Sequence, residues 1–130
     1  MFMRIAIPHW QGRVSPVFDV AGTLCLIDVE EGREIGRRSA VLTSRDPFRR
    51  AVEVSALNVD MLICGAISYP QERALIGAGV RVVCCICGEI GSVIDACIGG
   101  RLSDRRFLMP GCPGNRRGQR YRYRGGRSSP

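Results

Sequence analysis

Seven cysteines and a single histidine are the residues of this 130-residue chain whose side chains stand out for their chemistry. Thiolates and imidazoles ligate transition metals and metal-sulfur clusters, and thiols also exchange disulfides. Three of the cysteines fall in Cys84-Cys85-Ile86-Cys87, and two stand directly before glycine, as Cys64-Gly65 and Cys87-Gly88. An odd count, no apolar leader after Met1 to Pro8 and a hydrophobic content of 45% argue against a secreted disulfide scaffold and for reduced thiols. The spacing also lacks the Cys-x-x-Cys pattern of zinc ribbons and thioredoxin-like sites. No Gly-x-Ser-x-Gly, Walker loop, full dinucleotide fingerprint or close histidine pair is present, so no catalytic set is expected and the chain is not read as an enzyme. Gly77-Ala78-Gly79 joins helix to strand, the wrong order for a phosphate cradle, and reads as a turn.

The elements that must position these residues follow from apolar periodicity. Met3 to Pro8 reads as a first strand ended by proline, Thr23 to Val29 as a second, and Glu34 to Leu42 as a third after the turn Glu30-Glu31-Gly32-Arg33. His9 to Gly22 reads as a loop. Ser44 or Asp46 with Pro47 starts a helix whose apolar face is expected at Phe48, Ala51, Val52 and Ser55, ending near Asn58. Asp60 to Ala66 and Val80 to Ile86 are continuously apolar strands, separated by a short helix, Pro70 to Ile76. Glu89 to Ile98 is a last helix stopped by Gly99-Gly100. The order β-β-β-α-β-α-β-α predicts an α/β fold with a mixed sheet covered by helices on both faces.

In sheets with parallel strands, ligands sit beyond the carboxyl ends of the strands. Pro8-His9, Cys64-Gly65-Ala66 and Cys87-Gly88-Glu89 are expected to reach that rim. Gly65 and Gly88 would let the backbone turn and a bulky ligand approach, while the amides of the following helices favour an anion. Sulfide-bridged iron and molybdenum clusters are anionic and thiolate-held, so location and chemistry agree. Cys64 and Cys87 each read either as a ligand or as a small core residue. Cys84 and Cys85 should alternate to opposite faces of their strand, at least one of them under a helix. Cys25 and Cys97 share apolar faces and read as core. Cys112, outside any packed element, reads either as a thiol that folds back over the rim or as a reactive tail residue, and His9 either as a ligand or as a surface histidine.

The net charge of +7 is unevenly placed: residues 1–110 carry 13 Arg against all 12 acids, whereas residues 111–130 carry 6 Arg and no acid. The folded domain is thus expected over 1–109. Residues 110–130 form an Arg/Gly/Tyr-rich tail too poor in apolar residues to fold. Arg interleaved with Tyr and Gly suits stacking on RNA bases, an acidic partner or an anionic cluster; a solvated end is the plain alternative. No apolar run approaches the length of a membrane span, and the cytoplasm is the default compartment.

The ordered series Met3-Arg4-Ile5-Ala6-Ile7-Pro8, Val14-Ser15-Pro16-Val17-Phe18-Asp19, Ile27-Asp28-Val29-Glu30-Glu31-Gly32, Asp60 to Ile67, Gly79-Val80-Arg81-Val82 and Gly100-Arg101-Leu102 resembles the dinitrogenase iron-molybdenum cofactor biosynthesis family, in the manner of NifX and the C-terminal domain of NifB. The resemblance spans residues 3–102. It implies a ribonuclease H-like three-layer fold with a five-stranded mixed sheet, and binding of iron-sulfur or iron-molybdenum-sulfur clusters or their precursors. Cys64, Cys87 and Cys112 would be the thiolates, His9 a fourth ligand, and cluster donors or acceptors the partners. The family often reads Ser-Pro-His-Phe-Gly where this chain has Ser15-Pro16-Val17-Phe18-Asp19. Some relatives with basic, glycine-rich tails resemble iron-sulfide storage proteins. Two functions follow as expectations: a cluster carrier or store, or an RNA-binding module acting through its tail.

Overall fold

The structure, a computed structural model, describes residues 2–102 and 105–109. Its strands are β1 (Phe2–Trp10), β2 (Arg13–Val14), β3 (Thr23–Glu30), β4 (Arg33–Val41), β5 (Met61–Ile63) and β6 (Arg81–Val83). Its helices are α1 (Pro47–Ala56), α2 (Tyr69–Gly77) and α3 (Ile90–Ile98). The main sheet has the order β4-β3-β1-β5-β6, with β2 folded back on β1, so it counts six strands where five were expected. β4, β3 and β1 run antiparallel, while β1, β5 and β6 run parallel. This is the mixed α/β sheet that the sequence predicts.

Strict alternation divides the core into two layers. Ile5, Ile7, Ile27, Met61, Ile63 and Val83 face α3, through Ile90, Val93, Ile94 and Ala96. Ala6, Leu24, Leu26, Leu62, Cys64 and Val82 face α1 and α2, through Ala51, Val54 and Leu75. None of the described helices is long and apolar enough to cross a membrane.

Three differences from the expected elements have physical causes. Pro8 does not end β1: it has no N–H to offer, but its carbonyl accepts from Ser15 N at 2.8 Å, so the strand changes partner to β2 and continues to Trp10. The Gln11-Gly12 turn of that hairpin, both residues at positive φ, brings Gly12 O to Ile90 N at 3.0 Å and caps α3, whose N-cap Glu89 supplies no side-chain bond. β5 and β6 each keep three residues, because the apolar runs after Ile63 and Val83 leave the ladder and bond to loops.

Helix α1 starts where the sequence places it: Asp46 accepts from Arg49 N at 2.9 Å and Pro47 follows. Its buried face is different. Arg50, Ala51 and Val54 turn inward, and Phe48 and Val52 stay in solvent. Arg50 is 2% exposed, with Nη1 donating to Ser44 O and Nη2 to Phe18 O and Ala21 O at 2.7 and 2.8 Å. Its guanidinium also lies over the Phe18 ring, 4.7 Å from the centroid. One cation thus ties the 3-10 turn Phe18–Val20 and the loop before α1 to the helix. Replacing Arg50 by leucine strands two buried carbonyls and a partly buried one, and should lower the unfolding free energy by about 2 kcal/mol, measured by urea denaturation.

Candidate metal centre

The rim at the carboxyl ends of β1, β5 and β6 is built from backbone hydrogen bonds between loops. Cys64 N donates to Val83 O, Cys85 N to Gly65 O and Ile86 N to Cys64 O, each at 2.9 Å. Val17 bridges to Ala66, and Ala66 N donates to Pro16 O at 2.8 Å. From the far end of the domain, Cys87 N donates to Phe107 O at 2.8 Å and Met109 N to Cys85 O at 2.9 Å.

Cys85 is the point where this lattice bends. Its φ of 68° is unusual for a residue with a side chain, and it breaks the alternation expected along β6. Cys84 and Cys85 therefore do not go to opposite faces. Both pack on the α1/α2 side, with Sγ atoms 3.8 Å apart. Cys85 is disulfide-bonded, a departure from the expectation that all seven cysteines are reduced. Cys84 beside it is a free thiol, and sequence reasoning missed their shared face because nothing in Cys84-Cys85-Ile86-Cys87 announces a left-handed residue.

Of the four ligands expected from sequence, the structure puts two, Cys64 and His9, on opposite faces of the sheet. Cys64 is fully buried in the α1/α2 layer. His9 sits within β1 on the other face, with Ile5 and Ile7, where it lines an open cavity of about 330 Å³ beside Cys25, Arg37, Ser39 and Ile90. The sheet lies between the two. Cys87 is half-buried at the rim, its Sγ 3.9 Å from Arg106 O. Cys112 lies outside the described residues. Among the described residues, no three His, Cys, Asp or Glu side chains converge as a ready-made metal site. Of the two cysteines expected in the core, Cys25 is buried and Cys97 is half-buried.

The two glycines serve the protein's own backbone. A Cβ on Gly65 would lie 2.5 Å from Pro16 O and 2.8 Å from Ser15 O, so the space expected for a ligand holds the chain after β2. A Cβ on Gly88, which has φ 129°, would lie 3.4 Å from the side chains of Phe107 and Val93.

Burial pushes the Cys64 thiol well above its ordinary range, and Cys84, Glu72 and Asp19 push the same way. All three neighbours are anionic when ionised, so Cys64 stays protonated unless a cation arrives. Burial also raises Cys25, against the pull of Arg37, and Cys97, against that of Arg81.

No family profile and no curated protein matches the chain. Its fold does occur among solved structures. The crystal structure of the protein PH0822 superposes with a TM-score of 0.71 at 23% identity, over 76% of this chain and 93% of that one. A candidate dinitrogenase from Methanocaldococcus jannaschii gives 0.62 at 16%, over 78% and 92%. A candidate NifB protein from Thermotoga, placed in the DUF35 family, gives 0.60 at 24%, over 76% and 90%.

Two outcomes follow. Gly65→Ala should cost about 1–3 kcal/mol, read from the urea midpoint, because a carbonyl and not a flexible side chain occupies the space. For Cys64, the folded-state pKa lies above the unfolded one. Its contribution to stability is therefore complete below about pH 8.5 and is lost as pH rises through the folded value. The wild-type midpoint should fall as pH rises above about 8.5, and Cys64→Ala should flatten part of that fall.

What the residues and the comparisons establish together is an α/β domain with the architecture of these candidate dinitrogenase and NifB structures, carrying a bent cysteine segment at the carboxyl rim of its parallel strands.

Proposed function

We propose that this chain holds a metal-sulfur cluster as cargo at that rim and acts as a carrier or store rather than a catalyst. The observation that carries the reading is the bend at Cys85, which places Cys84, Cys85 and Cys87 of one short segment beside the Cys64-Gly65-Ala66 loop. Thiolates from this segment are the first ligands, once Cys85 is reduced. Cys112 is the next, since it follows Met109 by three residues, a reach of at most roughly 10 Å from the atom bonded to Cys85. Cys64 is a reserve thiol that a bound cation would deprotonate. His9, across the sheet, is not a ligand in this arrangement.

The mixed sheet flanked by helices supports a ribonuclease H-like reading of the fold, and the candidate dinitrogenase and NifB proteins that share the architecture support an iron-molybdenum or iron-sulfur species as the cargo. Soft sulfur ligands suit such clusters. Reversible holding also suits ligands that must lose protons to bind.

The test is reconstitution of the full chain under anaerobic, reducing conditions with ferrous iron and sulfide, with and without thiomolybdate. Bound metal and sulfide should appear together with charge-transfer absorption. Cys87→Ala should weaken that absorption, and joint replacement of Cys84, Cys85 and Cys87 should abolish it, while His9→Ala leaves it unchanged. Unaltered uptake by the triple variant would show the ligand assignment to be wrong.

A further inference from the structure

The disulfide at Cys85 has its partner outside the described residues. Of the seven cysteines, Cys25, Cys64, Cys84, Cys87 and Cys97 are free thiols, so within one chain only Cys112 is left. The backbone leads to the same residue. Ile86 bridges to Leu108 in antiparallel sense, Cys87 N donates to Phe107 O at 2.8 Å and Met109 N to Cys85 O at 2.9 Å. The chain therefore leaves the described domain directly opposite Cys85.

Hydrogen-bonded antiparallel neighbours lie about 5.5 Å apart at Cα, and a disulfide needs Cα atoms about 4.4–6.8 Å apart. Three residues span at most roughly 10 Å, and Pro110-Gly111 is the residue pair of a type II turn, which would return Cys112 to within about 7 Å of Met109. Cys112 can thus meet Cys85 with no movement of the rim, whereas Cys25 and Cys97 pack on the α3 side of the sheet. Cys85 is also placed to be opened. It is half-buried, the free thiol of Cys84 lies 3.8 Å from its Sγ, and its φ of 68° is held by hydrogen bonds at N and O that do not involve the sulfur.

We propose that Cys85 and Cys112 form a redox latch on the rim, and its meaning rests on the cargo reading: closed, it withholds two of the thiolates that the cluster needs, and opened, it supplies them. Opening takes two electrons and two protons. A dithiol reductant gives them up and closes its own disulfide, while the bond between Cys85 Sγ and Cys112 Sγ breaks and each sulfur becomes a thiol. The reduced chain takes up cargo and the oxidised chain refuses it.

The full chain, purified without reductant, is unfolded, alkylated with a maleimide at mildly acidic pH, cut after arginine and analysed by mass spectrometry. Five cysteines should carry the maleimide, and residues 82–101 should be joined to residues 107–116 through Cys85 and Cys112. After dithiothreitol, all seven should be alkylated and the two peptides should separate. Seven alkylated cysteines before reduction, or Cys85 joined to Cys84 or to a second chain, would overturn the latch. Gating is read with cobalt(II) alone, because sulfide would itself reduce the bond. Sulfur-to-cobalt charge-transfer absorption should appear with the reduced, desalted chain under argon and be lost with the oxidised one. Cys112→Ser, which cannot latch, should give the same absorption with and without prior reduction. Equal absorption from the oxidised and reduced wild-type chain would refute the gating. The expected disulfide map with no cobalt bound by either form would sink the cargo reading and leave the latch standing.

Discussion

The rim depends on a constraint that belongs to the backbone: two loops leaving adjacent parallel strands must satisfy their amides and carbonyls without a sheet to do it. Cys64 and Gly65 on one side and Cys85 and Ile86 on the other exchange these bonds, and Phe107 to Met109 returns to close the outer edge. Buried peptide groups left without partners are costly, so this pairing fixes the path of the chain at each of those residues. The positive φ of Cys85 follows from that path. A left-handed residue with a side chain persists only where its surroundings over-determine it, and here hydrogen bonds from Cys85 N and to Cys85 O hold it on both sides.

Electrostatics then sorts the thiols that the backbone has placed. Cys64 is in the interior next to groups of its own sign, so it is stored as a neutral thiol, whereas Cys87 reaches half into solvent. Arg50 is the opposite case. It is a charge kept in the interior although burial pulls its pKa down, and its stabilising partners are three carbonyls and a ring, with Asp19 and Glu53 contributing at longer range. Removing such a group leaves buried acceptors unsatisfied, which is why a buried cation in a small domain marks a segment whose position matters.

How much of this was legible depended on whether the signal was local. Asp46-Pro47 and Pro70 announce their helices because start signals use adjacent residues, although the cap of the second, Ser68, was not read from the sequence. The antiparallel meander and the two covered faces followed from alternation. The buried face of α1 did not, since periodicity alone gives Phe48, Val52 and Ala51 equal claim. The choice was made by Arg50, whose partners lie about thirty residues away in the Phe18 turn. Apolar runs made β5 and β6 look longer than they are, because an apolar residue bonded to a loop reads the same as one in a ladder. At the rim, glycine after Cys64 was legible as a close approach, but not that the approaching group would be the carbonyls of Ser15 and Pro16.

The separation of His9 from Cys64 carries the last step. Residues two apart on a strand share a face, so His9 is committed to the α3 side by the same alternation that buries Ile5 and Ile7 there. Cys64 is committed to the opposite side with Leu62. His9 and Cys64 therefore do not share a face of the sheet. On the proposed reading, the buried thiol Cys64 gives up a proton on binding and regains one on release, so a ligand held neutral by burial favours handing the cargo on over keeping it.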